Sequence, residues 1–146
     1  MKKVYILRGV SGSGKSTFIK KLPKNRVVHS TDSFFYKNGK YMFDLKKLGR
    51  YHKKNLENFE KSLKKNKRII VVDNTNLLAK EAKPYIKKAK EHGYKVILVD
   101  FKPKGALWHY KRNTHNVPLK TIKEQIKKYK KEDIGKFKVD RVIKII

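Results

Sequence analysis

Between Gly9 and Ser16 the chain reads Gly-Val-Ser-Gly-Ser-Gly-Lys-Ser, which satisfies the pattern G-x-x-x-x-G-K-S/T in full. That order of residue types suits a triphosphate. The glycines let backbone N–H groups turn inward around phosphate oxygens, and a helix that starts at the loop adds the positive end of its dipole. Lys15 can reach the β- and γ-phosphates, and the Ser16 hydroxyl can ligate Mg²⁺. The candidate nucleotide-binding residues are therefore Gly9, Ser11, Gly12, Ser13, Gly14, Lys15, Ser16 and Thr17. Ser11 and Ser13 read equally well as small loop residues.

Three further clusters bear on the acceptor. Ser30-Thr31-Asp32 ends a second apolar run, and a carboxylate at that position could accept a proton from an attacking hydroxyl. A turn or helix-capping Asp is the bland reading of Asp32. Asp73-Asn74-Thr75-Asn76 follows Ile69-Ile70-Val71-Val72, and Asp73 resembles the strand-end carboxylate that holds Mg²⁺ or its waters. An Asx-turn would account for the same four residues. Arg112 opens Arg-Asn-Thr-His-Asn-Val-Pro, where an Arg at a helix end could close over the triphosphate or simply lie in solvent. His52 is a substrate contact or a core histidine. Phe34, Phe35, Tyr36 and Tyr41 either stack on bases or pack their loop. Asp32, Phe35, His52, Asn74 and Asn76 are the candidate substrate contacts; Ser16 and Asp73 are the candidate metal ligands.

The elements that must carry these residues follow from hydropathy patterning. Val4 to Leu7, Arg26 to Ser30, Arg68 to Val72, Lys95 to Phe101 and Val139 to Ile145 read as five strands. Ser16 to Leu22, Ala79 to His92, Ala106 to Thr114 and Leu119 to Lys131 read as helices between them. Gly93 is placed to end the second of these, and Pro84 to mark its first turn or a kink. Asp44 is placed to cap a long helix whose Leu45, Leu48, His52, Leu56, Phe59 and Leu63 share one face. Thr31 to Phe43 has no periodicity and reads as a functional loop. Strands alternating with helices predict an α/β fold, a parallel five-stranded sheet flanked by helices in a single unit spanning residues 1–146.

Composition narrows the partners. The 146 residues include 40 Lys plus Arg against 12 Asp plus Glu, a formal net charge of +28. Hydrophobic residues make up 38%, enough for a core, so the charge is not that of a disordered tail. Only six of the basic residues are Arg, so the field is diffuse and suits polyanions more than bidentate recognition. The absence of cysteine excludes disulfides and cysteine-bound zinc. No apolar stretch approaches the roughly 20 residues of a membrane span. The run after Met1-Lys2-Lys3 is too short for a secretion signal. The expected location is the cytoplasm.

Taken in order, these clusters resemble the polynucleotide kinase branch of P-loop kinases. That branch includes the kinase half of the phage 5′-hydroxyl polynucleotide kinase and the P-loop domain of eukaryotic ubiquitin-ligase-binding proteins. The residues that carry the resemblance are Arg8 through Thr17, Ser30-Thr31-Asp32, Gly39 through Asp44, His52, Asp73 through Leu77, Lys83-Pro84-Tyr85, Gly93-Tyr94 and Arg112 through Pro118. The resemblance implies an adenylate-kinase-like core and Mg²⁺-dependent transfer of the γ-phosphoryl group of ATP to a 5′-hydroxyl. It implies Asp32 as general base, Asp73 near the metal and Arg112 as a lid residue. It also implies a single-stranded nucleic acid with a 5′-hydroxyl end as partner. Two departures stand out. Phe35 replaces an acceptor-binding Arg of the phage enzyme, and the counterpart of its second lid Arg falls near His115. With no Asp-x-Asp-x-Thr segment, no 3′-phosphatase activity is expected. In many kinases of this architecture a loop after the last strand reads adenine; few residues follow that strand here, so other nucleoside triphosphates are expected to serve nearly as well as ATP. The alternatives are a small-molecule kinase and a nucleotide-dependent nucleic-acid-binding module without transfer.

If lysines grip a strand, affinity must fall with salt. Each phosphate neutralised on a single strand contributes about −0.7 to the slope of log affinity against log salt, so four contacts give about −2.8. The acceptor KM should also improve from a dinucleotide to a strand of about six to eight nucleotides. Measuring KM at each length and at several salt concentrations checks this; a flat response would assign the basic surface no role in holding the acceptor.

Overall fold

In the computed structural model, which describes residues 1–146, strand β1 (Lys3–Arg8) shows how the chain divides its apolar residues. Side chains alternate across a strand. Val4 and Ile6 join a core cluster with Phe59, Leu63, Ala82, Ile86, Val96 and Leu98. Leu7 joins Ile19, Val71, Ile97, Val99 and Phe101 on the other face, with Tyr5 and Phe18 packed beside them. A strand buried on both faces has to be apolar throughout, and that produces the near-continuous runs in the sequence.

Five strands form a parallel sheet in the order β2-β5-β1-β6-β7: β2 (Val27–His29), β5 (Ile69–Val72), β1, β6 (Lys95–Phe101) and β7 (Arg141–Ile145). Helix α1 (Lys15–Lys20) covers one face with Phe18 and Ile19. Helices α2 (Leu45–Lys64) and α3 (Ala79–Glu91) supply the other cluster. Helices α4 (Ala106–Arg112) and α5 (Leu119–Lys131) lie between β6 and β7 in the chain. The expected α/β architecture is therefore observed. Because β1 is central and its neighbours come from later in the chain, the loop after β1 opens at the switch point of the sheet, where open α/β sheets leave a crevice. No helix is long and apolar enough to cross a membrane.

Several expectations change in detail. Residues 31–43 are not an irregular loop: a 3-10 turn spans Thr31–Phe35, and β3 (Tyr36–Lys37) pairs with β4 (Lys40–Tyr41). Asn38 and Gly39 connect them with φ of 51° and 78°, the left-handed pair that a tight hairpin turn requires. Asp44 caps α2 as expected, accepting from the Lys46 amide at 3.0 Å. Leu45 and His52 do not share the buried face of α2: Leu45 is 72% exposed, and His52 is exposed as well. Pro84 lies inside α3 instead of its first turn, and Gly93 follows the helix with φ of 76°.

One buried ion pair ties the sheet together at the mouth of the crevice. Arg8, 2% exposed, donates from Nη1 to Asp100 Oδ1 at 3.1 Å. Its remaining donors reach Leu77 O at 3.0 and 3.1 Å and Tyr129 O at 3.0 Å. The guanidinium lies 3.9 Å from the Tyr129 ring centroid, and Tyr129 Oη donates to Asp100 Oδ2 at 2.9 Å. Burial and the Asp100 carboxylate together push the Tyr129 pKa up to about 12, so the phenol remains a donor.

Replacing Arg8 by Ala would leave the Asp100 carboxylate buried without its partner. Breaking a buried pair from one side costs about 3–5 kcal/mol, and a urea midpoint measurement at constant m-value should show a loss of that size. A loss below about 1 kcal/mol would mean that water replaces the guanidinium.

Candidate active site

The loop after β1 adopts the conformation its glycines allow. Gly12 and Gly14 have φ of 73° and 95°, and a Cβ on Gly14 would meet nothing within 4 Å, so the loop leaves an open cradle. Ser11 through Thr17 line a cavity of about 460 Å³ together with Ser30, Asp32, Asp73, Asn74, Thr75, Trp108, Arg112, Asn113, Thr114 and His115. Lys15 Nζ donates to Gly9 O at 2.9 Å, across the mouth of its own loop. Burial lowers the Lys15 pKa, and the Asp73 and Asp32 carboxylates oppose that shift. Asp73 is the reciprocal case: burial raises its pKa, and Lys15 pulls it back down. The site thus combines the Lys15 and Arg112 cations with two carboxylates, a set that gains by taking up both phosphate and a divalent metal.

The expected metal ligands Ser16 and Asp73 both line this cavity. One hydroxyl and one carboxylate suit Mg²⁺, a hard ion that keeps several waters and completes its shell with substrate phosphates. Asp32 follows β2, and its side chain is 46% exposed. Behind it, the Asn74 Oδ1 accepts from the Thr31 amide at 3.0 Å, and Thr31 Oγ1 meets His52 Nδ1 at 3.0 Å. Desolvation lowers the His52 pKa, with Glu81 and Asp32 opposing it.

A second cavity of about 880 Å³ adjoins the first. It shares Ser11, Asp32, Asn74, Thr75 and His115 with it, and adds Tyr41, Phe43, His52, Tyr85, Val117 and Gln125 among others. Asp32 therefore stands at the junction of a polar cavity and one with aromatic and apolar walls.

Two candidate substrate contacts are almost fully buried. Phe35 is 2% exposed and packs against Phe43 and Tyr51, with ring centroids at 5.0 and 4.8 Å; an aromatic ring at this inward position anchors the 3-10 turn and lines neither cavity. Asn76 lines the second cavity but is 2% exposed, with its Nδ2 donating to Leu7 O at 2.8 Å. That bond satisfies the carbonyl just before the loop, so the role of Asn76 is structural. Arg112 lines the first cavity, stacked 3.9 Å from the Trp108 ring with Nη1 on Trp108 O at 3.2 Å. Ser13 Oγ is buried without a partner, beside Gly9.

Other residues that shape the loop had escaped the sequence reading. His109, 1% exposed, accepts the Lys104 amide at Nε2 at 2.8 Å, so the proton sits on Nδ1 and is donated to Gly12 O at 3.0 Å. Burial lowers the His109 pKa, with the Gly12 carbonyl opposing the shift, which favours this neutral form. Gln125 Oε1 accepts the Ser11 amide at 2.9 Å. Gln125 is a polar residue on the inward stripe of α5 that also carries Ile122 and Tyr129, and that mismatch was a readable signal.

Comparison with known proteins adds three findings. A family model described as an AAA domain matches residues 4–132. Human NEDD4-binding protein 2 is 37% identical over 135 residues, which is 86% of this chain and 8% of that protein. This chain thus spans a small part of that relative's length. Among solved structures, a chain of the Pnkp1/Rnl/Hen1 RNA repair complex superposes with a TM-score of 0.70 at 20% identity, over 88% of this chain and 44% of that one. A chain of the PezAT chromosomal toxin-antitoxin system of Streptococcus pneumoniae superposes with a TM-score of 0.61 at 18% identity, over 86% of this chain and 60% of that one. At these identities the two structures share the fold.

The contact between Gly12 and α4 yields a direct test. A Cβ on Gly12 would come 2.4 Å from His109 O and 3.0 Å from Asn113 N, at a φ that L-residues rarely adopt. Gly12→Ala should therefore weaken nucleotide binding by about tenfold or more. Trp108 is the single tryptophan and lines the cavity, so its fluorescence can follow a nucleotide titration. Unchanged affinity would mean that α4 swings clear of the loop at no cost.

Proposed function

The chain belongs to the AAA-domain family of P-loop kinase-like domains, and from that premise we propose that it transfers the γ-phosphoryl group of a nucleoside triphosphate to the 5′-hydroxyl of a nucleic-acid strand. The observation that carries this reading is the position of Asp32 at the junction of two cavities. One is lined by the phosphate loop and polar groups; the other has room and aromatic walls for a nucleoside. The charge of +28 favours a polyanionic acceptor over a small neutral one.

In this reading Lys15 and the amides from Ser11 to Thr17 that face the cavity hold the β- and γ-phosphates, and Arg112 screens the migrating group. Ser16 and the Asp73 carboxylate would hold Mg²⁺, which would supply charge neutralisation at the phosphates. Asp32 accepts the proton of the attacking hydroxyl. Orientation and electrostatics carry most of the catalysis, because phosphoryl transfer asks for little covalent chemistry from the protein. Ser13 and Thr17 complete the loop, Asn74 fixes the strand end beside Asp32, and His52 lines the acceptor cavity. The human relative is named for binding NEDD4, and one structural neighbour belongs to an RNA repair complex; a nucleic-acid substrate here is in keeping with the latter.

The test is incubation with γ-labelled ATP, Mg²⁺ and a panel of 5′-hydroxyl RNA, 5′-hydroxyl DNA and nucleosides. Label on oligonucleotides supports the proposal. Label on nucleosides alone favours a small-molecule kinase that uses the same Lys15 and Asp32, and strand binding without transfer favours a binding module. Within an active protein, Asp32→Asn should lower kcat by about 10²–10⁴ while leaving nucleotide affinity nearly intact. Lys15→Ala should reduce both. Near-normal turnover of Asp32→Asn would remove Asp32 from the chemistry.

A further inference from the structure

Asp32 presents two carboxylate oxygens, and only one is engaged. Tyr41 Oη donates to Oδ1 at 3.1 Å. The other oxygen, Oδ2, is 3.9 Å from His115 Nε2, beyond direct hydrogen-bond reach. Tyr41 is held in turn. Its ring lies against the His115 ring with centroids 4.5 Å apart and planes 33° apart, and against Tyr36 at 5.4 Å. Tyr36 Oη meets His115 Nδ1 at 3.0 Å. Tyr36 and Tyr41 are direct partners across the β3–β4 hairpin, so the Asn38-Gly39 turn sets both rings on one face. The hairpin and the segment after α4 thereby meet over Asp32, through a stack of three rings.

We infer that Tyr41 is a positioning residue for phosphoryl transfer: its hydroxyl occupies Oδ1 of Asp32 and leaves Oδ2 as the oxygen that takes the acceptor's proton. The inference rests on the kinase reading above. A half-exposed carboxylate without such a donor can turn about its terminal torsion and offer either oxygen in many directions. In the step itself the acceptor oxygen bonds to the γ-phosphorus while its proton passes to Asp32 Oδ2. The bond from the γ-phosphorus to the bridging oxygen breaks, and its electron pair leaves with the nucleoside diphosphate. Tyr41 keeps its proton throughout. Burial and the neighbouring Asp32 carboxylate raise its pKa well above that of an ordinary phenol, so it is a donor wherever Asp32 can serve as a base.

Tyr41→Phe removes the hydroxyl and keeps the ring. With γ-labelled ATP and a 5′-hydroxyl oligonucleotide, kcat should fall roughly 10- to 100-fold. The acceptor KM, the nucleotide affinity read from Trp108 fluorescence and the urea midpoint should stay close to those of the unmodified protein, within about threefold for the two constants. Tyr41→Leu, which also removes the ring, should show the same loss in kcat and a raised acceptor KM. The inference is overturned if Tyr41→Phe keeps kcat within about twofold, or if its defect lies in KM or stability alone, the result a packing role would give. Absence of transfer by the unmodified protein would instead overturn the kinase reading, and the inference with it.

Discussion

A charge placed inside a protein has to be matched before anything can be built beside it. Arg8 precedes the phosphate loop directly, and its guanidinium is held by Asp100, Leu77 O, Tyr129 O and the Tyr129 ring. Through those partners the end of β1 is fixed to β6, to the segment entering α3 and to the end of α5. An isolated buried charge costs several kcal/mol, so these four pieces cannot separate without exposing either Arg8 or Asp100. The loop therefore starts from a point whose position is set by the whole sheet and not by local turn preferences.

From that point outward the loop is braced by residues far away in the chain. Asn76 satisfies the Leu7 carbonyl, Gln125 the Ser11 amide, and His109 the Gly12 carbonyl. Each pairs a backbone group that local secondary structure leaves without a partner. The amides left over are those that face the cavity. Two of the three braces come from α4 and α5, the same region that carries Arg112 and His115. The phosphate cradle and the cationic segment above it are thus one connected assembly, and a change in either is felt by the other.

Much of this was legible in the sequence because it rests on periodicity and on glycine chemistry. The five strands, the cap at Asp44, the end of α3 at Gly93 and the phosphate loop all follow from local rules. The hairpin in residues 36–41 was written in Asn38-Gly39, but two-residue strands are too short for alternation to mark them. The burial of Phe35 and Asn76 was not legible, because the position of a residue in sequence says nothing about the direction of its side chain. His109 was missed because its partner is a backbone carbonyl about a hundred residues away, which no spacing rule reports, whereas Gln125 was marked by its polar place on the inward stripe of α5. The second cavity was equally invisible, since its walls come from α2, α3, α5 and the hairpin.

The two ends of the sheet carry a consequence of their own. An exposed sheet edge offers unpaired amides and carbonyls to any other strand, which is how folded proteins begin to polymerise. Here one edge is β2, only three residues long, and the other is β7, where Arg141 and Lys144 interrupt the apolar positions. A second molecule approaching either edge meets a short ladder or a pair of cations on a chain already carrying a large positive charge. Neutralising that charge with a polyanion removes the long-range repulsion but leaves the short edge and the cationic one in place. Copies of the fold can therefore be crowded together without their sheets joining edge to edge.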